Sequence, residues 1–155
     1  KLDVSEFLSN LAKSYPGLKS QIESGLVMAA DPMKLERAIT NLLDNAFKYD
    51  SSGQVEIRAH YENEKSVGSP SSPASSSVSK WLVIQVADQG QGVPDPEKQF
   101  IFEPFYRVDR SRSKTIPGYG LGLAIVASIA ESYGGSVVCE NNSPQGSRFI
   151  LRLPV

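Results

Sequence analysis

Asn41, Asn45 and Lys48 are spaced so that all three fall on one stripe of a helix. Asparagine is a poor mid-helix residue because its amide competes for backbone hydrogen bonds, so two of them one turn apart ask for a reason. An amide oxygen suits a hard cation such as Mg2+, and a lysine suits phosphate. An Asn pair at a solvent edge accounts for the same residues. Asp88-Gln89-Gly90-Gln91-Gly92-Val93-Pro94 closes an apolar run. A carboxylate at a strand end can accept a hydrogen bond from an exocyclic amine, and the glycines let a flat ligand approach the backbone. A plain Asp-Gly turn is the alternative. Gly118-Tyr119-Gly120-Leu121-Gly122-Leu123 leads into a helical run, where backbone N–H groups can hold an anion; a hinge before a helix reads the same way. Its glycine spacing does not match a dinucleotide-binding fingerprint. In Phe100-Ile101-Phe102-Glu103-Pro104-Phe105-Tyr106-Arg107 the aromatics could pin the base of a lid from which Arg107 reaches a phosphate. A satellite hydrophobic cluster under a long loop is compatible with that.

These residues need elements to hold them. Val4, Phe7, Leu8, Leu11 and Ala12 predict an amphipathic helix over Leu2–Tyr15. Weak strands follow near Ser20–Ser24 and Leu26–Ala30. Asp31-Pro32 opens the strongest helix, with Asp as N-cap and Pro at the first position. Leu35, Ile39, Leu42, Leu43 and Ala46 form its core face, and Gly53 lies just beyond its end. Gln54–Glu62 alternates apolar and polar as a half-buried strand, whereas Trp81–Ala87 is nearly all apolar and suits a central strand. Between them, Asn63–Ser79 is Ser-rich with almost nothing to bury and is expected to be a flexible hairpin extension. A short helix is expected over Glu97–Phe102, a mobile lid over Glu103–Gly120, and a helix over Leu121–Tyr133. Strands at Ser136–Asn141 and Gly146–Leu153 close the chain. This order predicts an α+β fold, a two-layer sandwich with one mixed, mostly antiparallel sheet and helices on one face.

Bulk properties exclude several classes. The 155 residues suit one domain, and a net charge of −1 gives no basic excess for nucleic acid. One cysteine and one histidine rule out an internal disulfide and Cys- or His-paired metal clusters. Cys139 reads as a small buried apolar residue. The longest apolar stretch, Leu121–Ala130, is about half of a membrane span, and no signal peptide is visible. The chain opens on Lys1 and reads as a piece of a longer protein.

Each cluster is weak alone, but their order is specific. Asn41-Leu-Leu-Asp-Asn45-Ala-Phe-Lys48-Tyr49 resembles the N box of sensor histidine kinases, and Asp88-Gln-Gly90-Gln-Gly92 resembles their G1 box. Phe102-Glu-Pro-Phe105-Tyr-Arg107 is similar to the F box, Gly118-Tyr-Gly120-Leu-Gly122-Leu to the G2 box, and Gly146-Ser147-Arg-Phe to the last glycine box. Tyr119 departs from the small or polar residue frequent in the G2 box. The resemblance implies the Bergerat ATP-binding fold shared with gyrase, Hsp90 and MutL, with ATP and Mg2+ as cofactors. It assigns Asn45 to Mg2+ and Asp88 to the adenine amino group. Gly90 and Gly92 shape the adenine pocket, and Tyr49 lines the nucleotide. Lys48 and Arg107 contact phosphates, Gly118, Gly120, Leu121 and Gly122 flank the triphosphate, and Ser147 supports Asp88. The ATPase branch carries a catalytic Glu one turn before the Mg2+ Asn. That position is Asn41, and a neutral amide cannot take a proton from water, so slow hydrolysis by the domain alone is expected.

Asn41, Lys48 and Arg107 then form the catalytic set of a protein histidine kinase whose phosphoacceptor is not in this chain. His60 lies on the polar face of a strand without the family's acidic-polar helix around it. Transfer is therefore expected in trans, to a histidine on a dimerisation domain preceding Lys1, with a response regulator downstream. The resemblance implies a cytoplasmic domain, without direct membrane contact, in an inner-membrane sensor. A nucleotide-binding regulatory module and a GHKL ATPase or anti-sigma serine kinase remain the alternatives.

Overall fold

The computed structural model describes residues 1–65, 78–108 and 120–155. Among the described residues the expected mixed sheet and three of the expected helices form with adjusted boundaries, and a second, two-stranded sheet stands beside them. Leu2–Asp3 (β1) pairs antiparallel with Val27–Met28 (β3) as a small separate sheet. The first helix (α1, Val4–Ala12) therefore starts later than Leu2, with Asp3 accepting the Glu6 N–H as its N-cap, and it stops before Tyr15. Tyr15 instead turns back to stack on Phe47, and its hydroxyl donates to Asp44 at 2.8 Å.

The main sheet has five strands in the order β2-β4-β5-β7-β6, namely Lys19–Ile22, Glu56–Lys65, Val78–Ala87, Ser147–Pro154 and Ser136–Asn141. β2 runs parallel to β4, and every other neighbour is antiparallel. β4 and β5 are longer than their apolar runs: Asn63, Glu64 and Lys65 pair with Lys80, Ser79 and Val78. Those ends of the expected flexible extension are thus ladder strand, because cross-strand hydrogen bonds satisfy the backbone whatever the side chains. The rest of that extension, 66–77, lies outside the described residues, as does 109–119 of the expected lid.

α2 (Pro32–Tyr49) is the central helix. Asp31 caps it by accepting the Met33 N–H at 2.9 Å, and the Asp31 N–H donates to the Tyr133 hydroxyl at 3.0 Å. Tyr133 follows α3 (Gly122–Ser132), so the start of one helix is tied to the end of the other. Leu35, Ala38, Ile39, Leu42, Leu43 and Ala46 of α2 are fully buried against Leu82, Ile84 and Val86 of β5 and Phe149, Leu151 and Leu153 of β7. Each Leu, Ile, Val or Phe among them contributes roughly 1.5–3 kcal/mol by leaving water, and each alanine methyl about 0.8 kcal/mol. The expected helix over Glu97–Phe102 is instead a 3-10 turn at Asp95–Glu97 followed by further turns. The bonds that form are tight ones, Phe100 N–H to Glu97 O and Glu103 N–H to Phe100 O at 2.9 Å each.

A candidate nucleotide site between two helices and the end of the sheet

A cavity of about 420 Å³ opens where α2, α3 and the C-terminal end of β5 meet. That volume suits a small-molecule ligand. α2 turns Asn41, Asn45, Lys48 and Tyr49 toward it; Asp88 and Gly92 enter from the turn after β5, and Ser147 and Phe149 from β7. Arg107, Gly120, Leu121 and Gly122 line the remaining side. Gly90 sits beneath the lining, so close to the Tyr49 carbonyl that a Cβ there would overlap it. Gly118 lies outside the described residues.

Sequence spacing missed the apolar walls, Val93, Ile101, Leu123 and Ile125, although Ile101 and Phe149 carry an ordinary core signal. It also missed Asp44, which lines the mouth, and two residues beyond the lining, Asp50 and Asn142.

Asp88 is 3% exposed. Its Oδ1 accepts the N–H of Gly90 at 2.9 Å and of Ser147 at 3.4 Å. Burial pushes its pKa above the ordinary carboxylate value; the two N–H groups work against that, and the nearby Asp50 charge adds to it. The Lys48 ammonium is shifted down, first by partial burial and then by the Arg107 guanidinium. Two cations thus face one cavity closely enough to repel each other, an arrangement that an anion would relieve. No hydrogen bond among the described residues occupies the amide of Asn41 or of Asn45. The Asn41 side chain rests over Gly122, with Oδ1 3.7 Å from where a Cβ would stand.

The loop after the 3-10 turn is pinned rather than loose over its first residues. The Tyr106 hydroxyl donates to Glu97 at 2.8 Å, the Phe105 N–H donates to Gly120 O at 2.9 Å, and Phe102 meets Phe149 edge-on. Phe105 itself is held at φ 66° and is 72% exposed.

A carboxylate, an amide oxygen, two cations and a helix N-terminus around one apolar cleft define a nucleotide-binding protein. The chain belongs to the histidine kinase-, DNA gyrase B- and HSP90-like ATPase family, whose model matches residues 30–155. It is 39% identical over 84% of its length to hybrid signal transduction histidine kinase D of Dictyostelium discoideum, and 34% identical over 97% to sensor histidine kinase RppB of Synechocystis. It spans only 8% and 30% of those two proteins. Among solved structures, the ATP-binding domain of PrrB from Mycobacterium tuberculosis superposes with a TM-score of 0.65 at 29% identity, over 99% of this chain and 94% of that one. No helix among the described residues is long and apolar enough to cross a membrane.

Proposed function

We propose that this domain binds ATP with Mg2+ in the cavity and delivers the γ-phosphoryl to a histidine on a separate helical domain of its parent protein. The observation that carries the reading is the convergence of Asp88, Asn45, Lys48 and Arg107 with the Gly120–Gly122 helix start around one cleft. With Oδ1 of Asp88 held by two backbone donors, Oδ2 is left to accept the exocyclic amine of adenine. Gly90, Gly92 and Ser147 fix that end of the site, and Tyr49 lies along the nucleotide. Lys48 and Arg107 take the phosphates by charge-assisted hydrogen bonds. Gly120, Leu121 and Gly122 flank the triphosphate at the start of α3.

Among the described residues no cluster of His, Cys, Asp or Glu could cage a metal. Asn45 offers its amide oxygen, which fits Mg2+, an ion that prefers one or two protein ligands plus phosphates and waters. There Mg2+ would supply neutralisation of phosphate charge. The protein's own part is positioning. Asn41, where a base for water would stand, is a neutral amide, so the γ-phosphoryl is kept for an incoming nucleophile.

The nucleophile comes from outside. His60 sits on the sheet face opposite the helices, paired across the sheet with Val83 and 3.2 Å from Glu62. In the transfer, a histidine ring nitrogen bonds the γ-phosphorus as the bond to the β,γ-bridging oxygen breaks, giving phosphohistidine and ADP. The parent is read as a homodimeric membrane sensor that passes the phosphoryl to a response regulator.

Mixing this domain with the separately produced histidine domain, Mg2+ and γ-labelled ATP tests the reading. Acid-labile label on the partner's histidine, with none on His60, is expected. ATP binding without transfer would make the domain a nucleotide-gated module, and label on a hydroxyl would make it a serine kinase.

A further inference from the structure

One peptide group, the Asp88 carbonyl with the Gln89 N–H, is gripped from two directions. Asp50, just past α2 and only 4% exposed, accepts the Gln89 N–H on Oδ2 at 2.7 Å. Its Oδ1 accepts the Ser52 N–H at 2.8 Å. From the turn between β6 and β7, Asn142 Nδ2 donates to the Asp88 carbonyl at 2.8 Å. Asn142 is fixed in its turn: its N–H donates to Gly146 O at 3.0 Å, and its Oδ1 accepts the Ser143 N–H at 3.0 Å. That last bond sets which end of the amide faces Asp88. Gln145 Nε2 holds the next carbonyl, that of Gln89, at 2.9 Å.

We infer that Asp50 and Asn142 are positioning residues, which hold the peptide after Asp88 so that the Asp88 carboxylate meets the exocyclic amine of the nucleotide. This rests on the adenine reading given above. The peptide plane sets where the Asp88 backbone stops and where the Gly90 N–H, the donor to Asp88 Oδ1, begins. Rotating that plane moves both the carboxylate and its nearest donor. Asp50 has a cost: a second buried carboxylate lies near Asp88. Burial also works against the Asp50 charge, but donors from Ser52, Gln89 and Gly53 outweigh it and hold its carboxyl below the ordinary range. A residue needed only to end α2 would not have to reach Gln89. The grip also links two segments far apart in the chain, the end of α2 and the last turn of the sheet, to one ligand contact.

The test is calorimetric binding of ATP and of purine riboside triphosphate, which has hydrogen in place of the 6-amino group. Asp50→Ala is expected to weaken ATP about tenfold or more and Asn142→Ala several-fold, while both leave the analogue within about twofold of wild type. Adding Asp50→Ala to Asp88→Asn should cost less than about twofold further, since the two act through one contact. Equal losses for both nucleotides, or losses that add to Asp88→Asn, would overturn the inference and leave a purely structural role. If Asp50→Ala does not fold, Asn142→Ala and Asp50→Asn carry the same comparison; the Asn amide can accept only one of the two N–H groups. Asp88→Asn with undiminished ATP affinity would instead remove the adenine reading itself. Weakened Asp88→Asn with unchanged Asp50 and Asn142 variants would remove only this inference.

Discussion

Gly146→Ala should damage the adenine end of the site more than any comparable glycine change. Gly146 has φ +98°, and a Cβ there would overlap the Asp88 carbonyl oxygen while standing 2.7 Å from its carbon and 2.8 Å from Gln89 Cα. Gly25 is the control: φ is +78° and nothing lies within 4 Å of its Cβ position. Left-handed backbone costs an alanine roughly 1–2 kcal/mol at either place. At Gly146 the overlap is with backbone, which cannot swing aside, and overpacking of that kind adds about 1–3 kcal/mol. A domain of this size loses roughly 2–4 °C of Tm per kcal/mol, so Gly146→Ala should melt about 2–12 °C below Gly25→Ala. The second effect is functional. The strand end carrying Asp88 must shift, and a displaced hydrogen bond to a charged group is worth about 1.5–3 kcal/mol, or about 10- to 100-fold in ATP affinity. Gly25→Ala should keep wild-type affinity. Thermal melting and calorimetry on the two variants decide it: equal Tm values together with unchanged ATP binding would refute the packing of Gly146 on Asp88.

Lys48→Met should weaken ATP about 10- to 100-fold while leaving adenosine binding within about twofold, as measured by competition calorimetry; an equal loss for both would take Lys48 off the phosphates. The ratio of wild-type to Asp88→Asn affinity for ATP should shrink as pH falls through the raised pKa of Asp88, because the carboxylate becomes a neutral acid. The stability signs are opposite for the two buried carboxyls. Asp88 binds its proton more tightly when folded, so it takes stability away as pH rises toward its folded pKa. Asp50 binds its proton less tightly, so its contribution is present above the ordinary carboxylate pKa and is lost as pH falls through its lowered one. Asn41→Ala should leave the slow ATP hydrolysis of the isolated domain unchanged in a phosphate-release assay; abolition would make Asn41 part of a hydrolytic machine.

Much of the fold was legible because periodicity reports burial directly. α2 announced itself through Asp31-Pro32 and the stripe from Leu35 to Ala46, all of which is buried. The ends of β4 and β5 were hidden because ladder pairing of Asn63–Lys65 with Val78–Lys80 needs no apolar side chains. The turns at 95–103 differ from the expected helix in their hydrogen bonds, which run three residues back, Phe100 to Glu97 and Glu103 to Phe100. In the site, Asn41, Asn45, Lys48 and Asp88 could be picked out because their residue types are unusual for their local setting. Asp50 and Asn142 could not, since an Asp ending a helix and an Asn in a turn are common. Only the long-range contact with Gln89 and Asp88 distinguishes them. Gly146 could be placed in a motif, but its close approach to the Asp88 carbonyl could not be read from the sequence.

Calorimetric titration of ATP with Mg2+ into wild type and Asp88→Asn is the most direct measurement of whether this cavity reads adenine through one buried carboxylate. The account predicts a measurable wild-type affinity that falls about 10- to 100-fold in the variant, with its Tm retained. Wild-type affinity in a folded Asp88→Asn protein would contradict it.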